Sequence, residues 1–247
     1  MTYLILALLV TNLGLVGLLY SKIRRIDSNA WELQQNLKRQ ALNEFRQIES
    51  LIALHVDLKP HHSLPQMRQW AGSPDFLAHL AKTILLHKPS TVVECSSGVS
   101  TLVAARACQL NGGGHVFSLE HEGVFAERTM EMLRQHGVEK WATVIHAPLQ
   151  ITQTPNGEYL WYETNGLPDA PVDVLVIDGP PEDVNPMARY PAGPLLLPRL
   201  AEKGILLLDD ANRPDERRAV ELWLETFPTF TVERPKAEKG LAVVSRH

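Results

Sequence analysis

Five short apolar runs, STVVECS (90–96), HVFSLE (115–120), ATVIHAP (142–148), VDVLVIDG (172–179) and GILLLDDA (204–211), alternate with stretches of helical character. Runs this rich in Val, Ile and Leu are apolar on both faces, and strands joined through helices pair in parallel, so the expected core is a parallel sheet covered on both sides. Helices are expected over 73–88, where Ser73 caps and Pro74 starts the first turn, and over about 100–110, 123–136, 188–201 and 214–226. The last of these opens on Pro214, Asp215 and Glu216, acids that suit a helix N-terminus. FTVERP and GLAVVSR (230–246) have no helix between them and predict an antiparallel hairpin at the sheet edge.

In such sheets ligands bind at the carboxyl ends of the strands, near the point where strand order reverses. That rule selects Glu94 to Ser100 after the first strand and Glu120 after the second. It also selects Asp178 after the fourth, and Asp209 and Asp210 after the fifth. The residues from 150 to 170 read as a long loop containing EYLWYETNG, and Trp161 and Tyr162 in it suit either stacking on a ligand ring or closing the core.

The N-terminus is a separate physical object. From Tyr3 to Tyr20 there is no charged side chain, close to the roughly 20 residues that span a bilayer core. Tyrosines at both ends suit the interfaces, and Lys22, Arg24 and Arg25 place the C-terminal side in the cytoplasm. A cleaved signal peptide fits less well, since no charged region precedes the apolar run and no small-x-small site follows it. Leu33, Leu37, Ala41, Phe45, Ile48 and Ile52 then mark one face of an amphipathic helix, which either packs on the globular domain or forms a coiled-coil stalk that dimerises the chain. KPHHSLP (59–65) breaks that helix. The expected organisation is thus an anchor over 1–21, a helical stalk over 22–58 and one catalytic-size domain over 59–247.

A net charge of -4 provides no basic field for a polyanion, so nucleic acid is not expected as the principal partner. Cys95 and Cys108 match no zinc or disulfide framework, the ten histidines contain no metal-binding spacing, and no G-x-S-x-G hydrolase motif occurs.

The loop VVECSSGVST (92–101) decides the ligand class. A dinucleotide site wants G-x-G-x-x-G for close approach to a pyrophosphate; here Gly98 is the one matching glycine, and the Glu94 carboxylate would repel a pyrophosphate. The same carboxylate attracts a ligand carrying an ammonium and a sulfonium, as S-adenosylmethionine does. Glu120 stands where an acid accepts hydrogen bonds from ribose hydroxyls. With VVECSSGVST, FSLEH, VLVIDGPP, ARYPA and LLLDDANRPDERRAVELW together, the sequence resembles the class I S-adenosylmethionine-dependent methyltransferases, over roughly residues 70–246. The resemblance implies a Rossmann-like, doubly wound α/β fold with a mostly parallel seven-stranded sheet. It also implies cofactor contacts from Glu94, Ser96, Gly98, Ser100, Glu120 and Asp178. Ser96 departs from the first glycine of the family loop, and serine reaches positive φ less freely.

Three carboxylates at adjacent strand ends repel, and a hard divalent cation such as Mg²⁺ or Mn²⁺ relieves that repulsion. The set is similar to that of catechol O-methyltransferase-like enzymes, which implies Asp178, Asp209 and Asp210 as ligands, with Asn212 close by, and catalytic roles for Asp178 and Asp209. The plainer reading has Asp209 and Asp210 leading into the helix near Pro214 and Asp178 facing solvent. Those enzymes place a lysine base where this chain has Pro181, which leaves Glu182, Asp183 or a second metal-bound oxygen as the base. The DGPP form is also similar to sugar-hydroxyl methyltransferases acting on uronic acids, for which Arg189 and Arg213 would pair with a substrate carboxylate. The expected activity is methyl transfer to a hydroxyl of a small molecule or glycan. A metal-independent methyltransferase and a non-catalytic, membrane-anchored scaffold are the alternatives.

Overall fold

The structure, a computed structural model, describes residues 1–67 and 71–246. By contact the chain divides into Met1–Arg46 and Gln47–His247. Helix α1 runs over Thr2–Leu58. Its N-terminal part is long and apolar enough to cross a membrane, with a mean hydropathy of 2.1 over 18 residues and none of that window buried. The helix ends where Lys59 takes a φ of 43° ahead of Pro60, a residue that cannot continue it. Leu54 and Leu58 are buried in the core, whereas Leu33, Leu37, Phe45, Ile48 and Ile52 are exposed.

The remaining elements are α2 (Pro74–His87), β1 (Thr91–Cys95), α3 (Val99–Asn111), β2 (His115–Glu120), α4 (Gly123–Gln135) and β3 (Ala142–His146). These are followed by β4 (Leu149–Thr154), β5 (Gly157–Tyr162), β6 (Val172–Ile177), α5 (Ala192–Leu196) and β7 (Leu200–Leu208). The chain closes with α6 (Pro214–Thr226), β8 (Phe230–Glu233) and β9 (Ala242–Arg246). Seven strands form one sheet in the order β3-β2-β1-β6-β7-β9-β8. The first five pair in parallel, while β9 is antiparallel to both β7 and β8, as the helix-free C-terminal segment predicts.

Period-two alternation fills both faces of this sheet. Val93, Cys95, Leu175, Ile177, Leu206 and Leu208 pack with Trp161, Tyr162 and Trp223 on one face. Val92, Val174, Val176 and Leu207 pack with Leu54, Phe76, Leu80 and Leu102 on the other. The chain leaves β1 toward β2 and β3, then returns to β6 on the other side of β1, so the strand order reverses between β1 and β6. The loops after those two strands therefore flank the crevice in which this fold binds ligands.

Two expectations are corrected. Residues 149–162 are not a loop but a separate two-stranded antiparallel sheet, β4 with β5, turning through Pro155 and Asn156 into Gly157, which opens β5 with a φ of 119°. The Asn-Gly pair between alternating residues was the available hairpin signal. The helix expected near 188–201 is the five-residue α5 followed by a single 3₁₀ turn over Leu197–Arg199, because Pro191, Pro194 and Pro198 deny backbone donors to a longer helix. Strand β7 consequently starts at Leu200, with a register irregularity opposite Val172 and Val174.

Candidate active site

The loop after β1 is held by its neighbours on β2 and α3. Ser96 N–H donates to the Leu119 carbonyl at 3.0 Å, and Ser118 Oγ donates to the Ser96 carbonyl. Thr101, in the first turn of α3, accepts from Gly98 N–H at 3.0 Å and donates to Glu94 Oε2 at 2.6 Å. Glu94 is 1% exposed, and its Oε1 has no partner among the described residues. Burial pushes its carboxyl up to about 7, against the hydrogen bonds of Ser100, Thr101 and Ser118. An acceptor buried without a donor, at the strand-order reversal, is an opening for a cationic or donor group of a ligand.

Glu120 ends the neighbouring strand and is set up differently. Burial alone would raise its pKa, but His121, the Glu122 N–H and Ser97 together hold it below the usual value. Ser97 Oγ donates to Oε2 at 2.8 Å, Glu122 N–H to Oε1 at 3.0 Å, and His121 Nδ1 stands 3.1 Å from Oε1. Glu120 is thus an ionised, oriented acceptor, and each oxygen keeps lone-pair capacity for a further donor. Glu94, Ser96, Gly98, Ser100 and Glu120 all fall in this one stretch of the sheet's carboxyl edge, as the sequence predicts. Ser97 lies within the selected stretch, whereas Thr101 and Ser118 fall outside it, since single hydroxyl residues carry no pattern until the loop geometry is known.

Ser96 sits at a φ of 134° and Gly98 at 143°, so the serine occupies a backbone conformation that suits glycine. Ser96→Gly is expected to stabilise the fold by about 1 kcal/mol, the order of the strain a side chain stores there. Chemical denaturation of the two proteins checks this, and a less stable variant would show that the serine side chain contributes more than its strain costs.

The crevice continues into an acidic rim. Asp178 N–H donates to the Cys95 carbonyl at 3.1 Å and Asp209 N–H to the Ile177 carbonyl at 3.0 Å, which carries the sheet register of β1, β6 and β7 into the loops. Asp178, Asp209 and Asp210 each bring one carboxylate oxygen within 4.8 Å of the others. Asp210 turns back toward the cluster through a φ of 56°. Asp209 is 0% exposed, and both of its carboxylate oxygens lack a partner among the described residues. Burial, then the charges of Asp178 and Asp210, push the Asp209 carboxyl up to about 8. Asp178 is likewise raised, first by burial, with Arg189 opposing. Asn212 is exposed, with its N–H bound to the Lys239 carbonyl at 3.1 Å.

The residues expected to meet substrate take other positions. Arg189 is 5% exposed and lies against the rim acids. Its Nη2 donates to Asp210 Oδ2 at 2.8 Å and to the Asp178 carbonyl at 3.1 Å, and lies 3.4 Å from Asp178 Oδ1. Its Nη1 donates to the Asp209 carbonyl at 3.0 Å, and Nε stands 3.7 Å from Glu216 Oε1. The guanidinium is thus engaged by the protein's own acids instead of awaiting a substrate carboxylate. Arg213, half-buried, reaches Asp210 Oδ2 at 3.1 Å and Glu182 Oε2 at 3.2 Å. Trp161 and Tyr162 end β5 with buried side chains inside the core, which corrects their loop placement and leaves no open ring face for stacking. Tyr162 does support the site from beneath: a Cβ on Gly179 would collide with its hydroxyl, so only glycine follows Asp178 there.

Comparison with known proteins bears on this edge directly. Residues 93–211, from β1 to the end of the rim, match the family model described as a methyltransferase domain. Solved structures share the fold of this chain. A methyltransferase, PaMTH1, from Podospora anserina with SAH bound is 15% identical with a TM-score of 0.55, over 79% of this chain and 88% of that one. An O-methyltransferase from Bacillus cereus in complex with SAH is 15% identical with a TM-score of 0.54, over 84% of this chain and 97% of that one. The O-methyltransferase TomG of Streptomyces achromogenes, in complex with SAM, is 16% identical with a TM-score of 0.50, over 81% of this chain and 88% of that one. No curated protein sequence matches the chain. The class I architecture expected from the motif set is therefore the fold of this chain, and Glu94, Glu120 and the three aspartates all lie along the carboxyl edge of its sheet.

Proposed function

We propose that the chain is an S-adenosylmethionine-dependent O-methyltransferase that methylates a hydroxyl of a small molecule or glycan with a divalent cation held by Asp178, Asp209 and Asp210. Asp209 carries this reading: a fully buried carboxylate with two unpartnered oxygens, beside two further carboxylates, is a set of hard ligands that suits Mg²⁺ or Mn²⁺. When bound, such an ion supplies a lowered pKa and a fixed orientation to the acceptor hydroxyl. The protein's own residues do the rest. The free Oε1 of Glu94 attracts the ammonium of the cofactor, the Ser96–Gly98 turn leaves room for it, and Glu120 accepts from the ribose hydroxyls. Methyl transfer then forms the O–CH₃ bond and breaks the S–CH₃ bond, S-adenosylhomocysteine leaves, and the hydroxyl proton passes to Glu182, Asp183 or solvent water.

The test is transfer of a labelled methyl group from S-adenosylmethionine to catechol-type and uronic-acid hydroxyls, with Mg²⁺ or Mn²⁺ and with chelator. Product that disappears with chelator and returns with metal supports the reading. Product that survives both chelator and loss of the aspartates replaces it with metal-independent transfer, a second reading favoured by Arg189, which already sets a cation against Asp178 and Asp210.

The apolar start of α1 supports a single-pass anchor, and Lys22, Arg24 and Arg25 support a cytoplasmic domain. Protease added to sealed inverted membrane vesicles is expected to digest the methyltransferase domain, and full protection of that domain there would reverse the orientation. The exposed Leu33, Leu37, Phe45, Ile48 and Ile52 support pairing of α1 with a second copy of the chain.

A further inference from the structure

We infer that Arg189 is the internal cation of the acidic rim, a positioning residue that shares Asp178 and Asp210 with the divalent ion and thereby limits how tightly the rim holds it. The inference rests on the metal reading above, and it starts from charge. Four acidic side chains, Asp178, Asp209, Asp210 and Glu216, converge where β6 and β7 end, and all are at most 10% exposed at the side chain. Such a group cannot be fully ionised without buried positive charge. Arg213 supplies part of it from a side chain that is 35% exposed, but Arg189 supplies it from within.

The guanidinium also sets geometry. Its planar fork reaches Asp210 Oδ2 and the main-chain carbonyls of Asp178 and Asp209 at once, so it fixes the ends of two adjacent strands with respect to each other. It leaves other oxygens uncommitted: both of Asp209 lack a partner, and Arg189 approaches Asp178 and Asp210 through one oxygen each. An ion held by the uncommitted oxygens and Arg189 would share the same carboxylates. Partners of this kind orient metal ligands, but here the partner is itself a cation, so it also repels the ion.

Direct binding of Mn²⁺ to the full-length protein at pH 8.5, followed through the electron paramagnetic resonance signal of the free ion, tests this without an acceptor or turnover. Arg189→Gln removes the charge and is expected to bind Mn²⁺ about tenfold tighter or more, the consequence of removing one positive charge a few ångströms from the ion. Arg189→Lys keeps the charge and is expected to stay within about threefold of the parent, which separates electrostatics from general disruption of the site. In a thermal melt, Mn²⁺ is expected to stabilise Arg189→Gln more than the parent, because bound ion replaces the missing cation. Unchanged or weaker Mn²⁺ binding by Arg189→Gln beside a binding parent overturns the inference and leaves the metal reading standing. Binding by Arg189→Gln but not by the parent overturns both, because the natural rim then holds no ion for Arg189 to share its carboxylates with. Absence of binding in every protein overturns both.

Discussion

Glu120→Ala is expected to weaken S-adenosylmethionine binding by about 100-fold or more, since two hydrogen bonds to a charged acceptor contribute about 1.5–3 kcal/mol each. The loss follows from the way the side chain is held. Glu120 is 6% exposed, and Ser97, the Glu122 N–H and His121 all approach its oxygens, which keeps it ionised and fixes its orientation before any ligand arrives. That preorganisation is spent on binding, so the cost of removal appears in Kd for the cofactor. Glu120→Gln is expected to fall between the two, because the amide keeps one acceptor and loses the charge. Calorimetric titration measures both variants, and an alanine variant within about threefold of the parent would remove Glu120 from the cofactor site.

The second large effect belongs to Asp209. Asp209→Asn is expected to lower kcat by about 100-fold or more, the range associated with losing several kcal/mol of metal assistance in the transition state, while cofactor affinity changes little. The same substitution should not unfold the protein. A folded-state pKa raised to about 8 means that the native state holds the Asp209 proton more tightly than the unfolded chain does. Its contribution to stability is therefore fully present below the ordinary carboxylate value and is lost as pH rises through about 8. A neutral amide carries no such loss, so Asp209→Asn is expected to equal or exceed the metal-free parent in stability at pH 8. A stabilised but inactive variant would be the signature of a carboxylate kept for chemistry. Denaturation curves at pH 6 and pH 8 with a parallel activity assay check both halves, and undiminished activity would return Asp209 to a structural role.

The architecture was legible because its strands are apolar on both faces and its helices carry ordinary stop signals. Pro214 with Asp215 and Glu216 marked the start of α6 to the residue, and the helix-free ending marked the antiparallel edge. The acids at the strand ends were legible for the same reason, since the parallel topology forces Glu94, Glu120, Asp178 and Asp209 onto one edge. What sequence could not yield depends on side-chain direction. Arg189 is separated from Asp178 by a proline-containing loop, and no periodicity says that its guanidinium turns inward to Asp210 and away from solvent. Trp161 and Tyr162 lie on a strand that the sequence hides, because Gln, Thr and Glu dilute the alternation of β4 and β5, which close into a hairpin through Pro155 and Asn156. Ser96 was legible as a departure, and the structure shows that the turn keeps its glycine-like φ despite the side chain.

The most direct test of the central claim is calorimetric titration of S-adenosylmethionine into the detergent-solubilised full-length protein at pH 6 and at pH 8. Glu94, pushed up to about 7 by burial, has to ionise to attract the cofactor's ammonium, so micromolar binding that is several-fold tighter at pH 8 is the predicted result. Substitution Glu94→Gln should weaken binding at pH 8 and remove that difference. Absence of binding at both pH values, from protein shown to be folded, would contradict the assignment of this edge as a cofactor site.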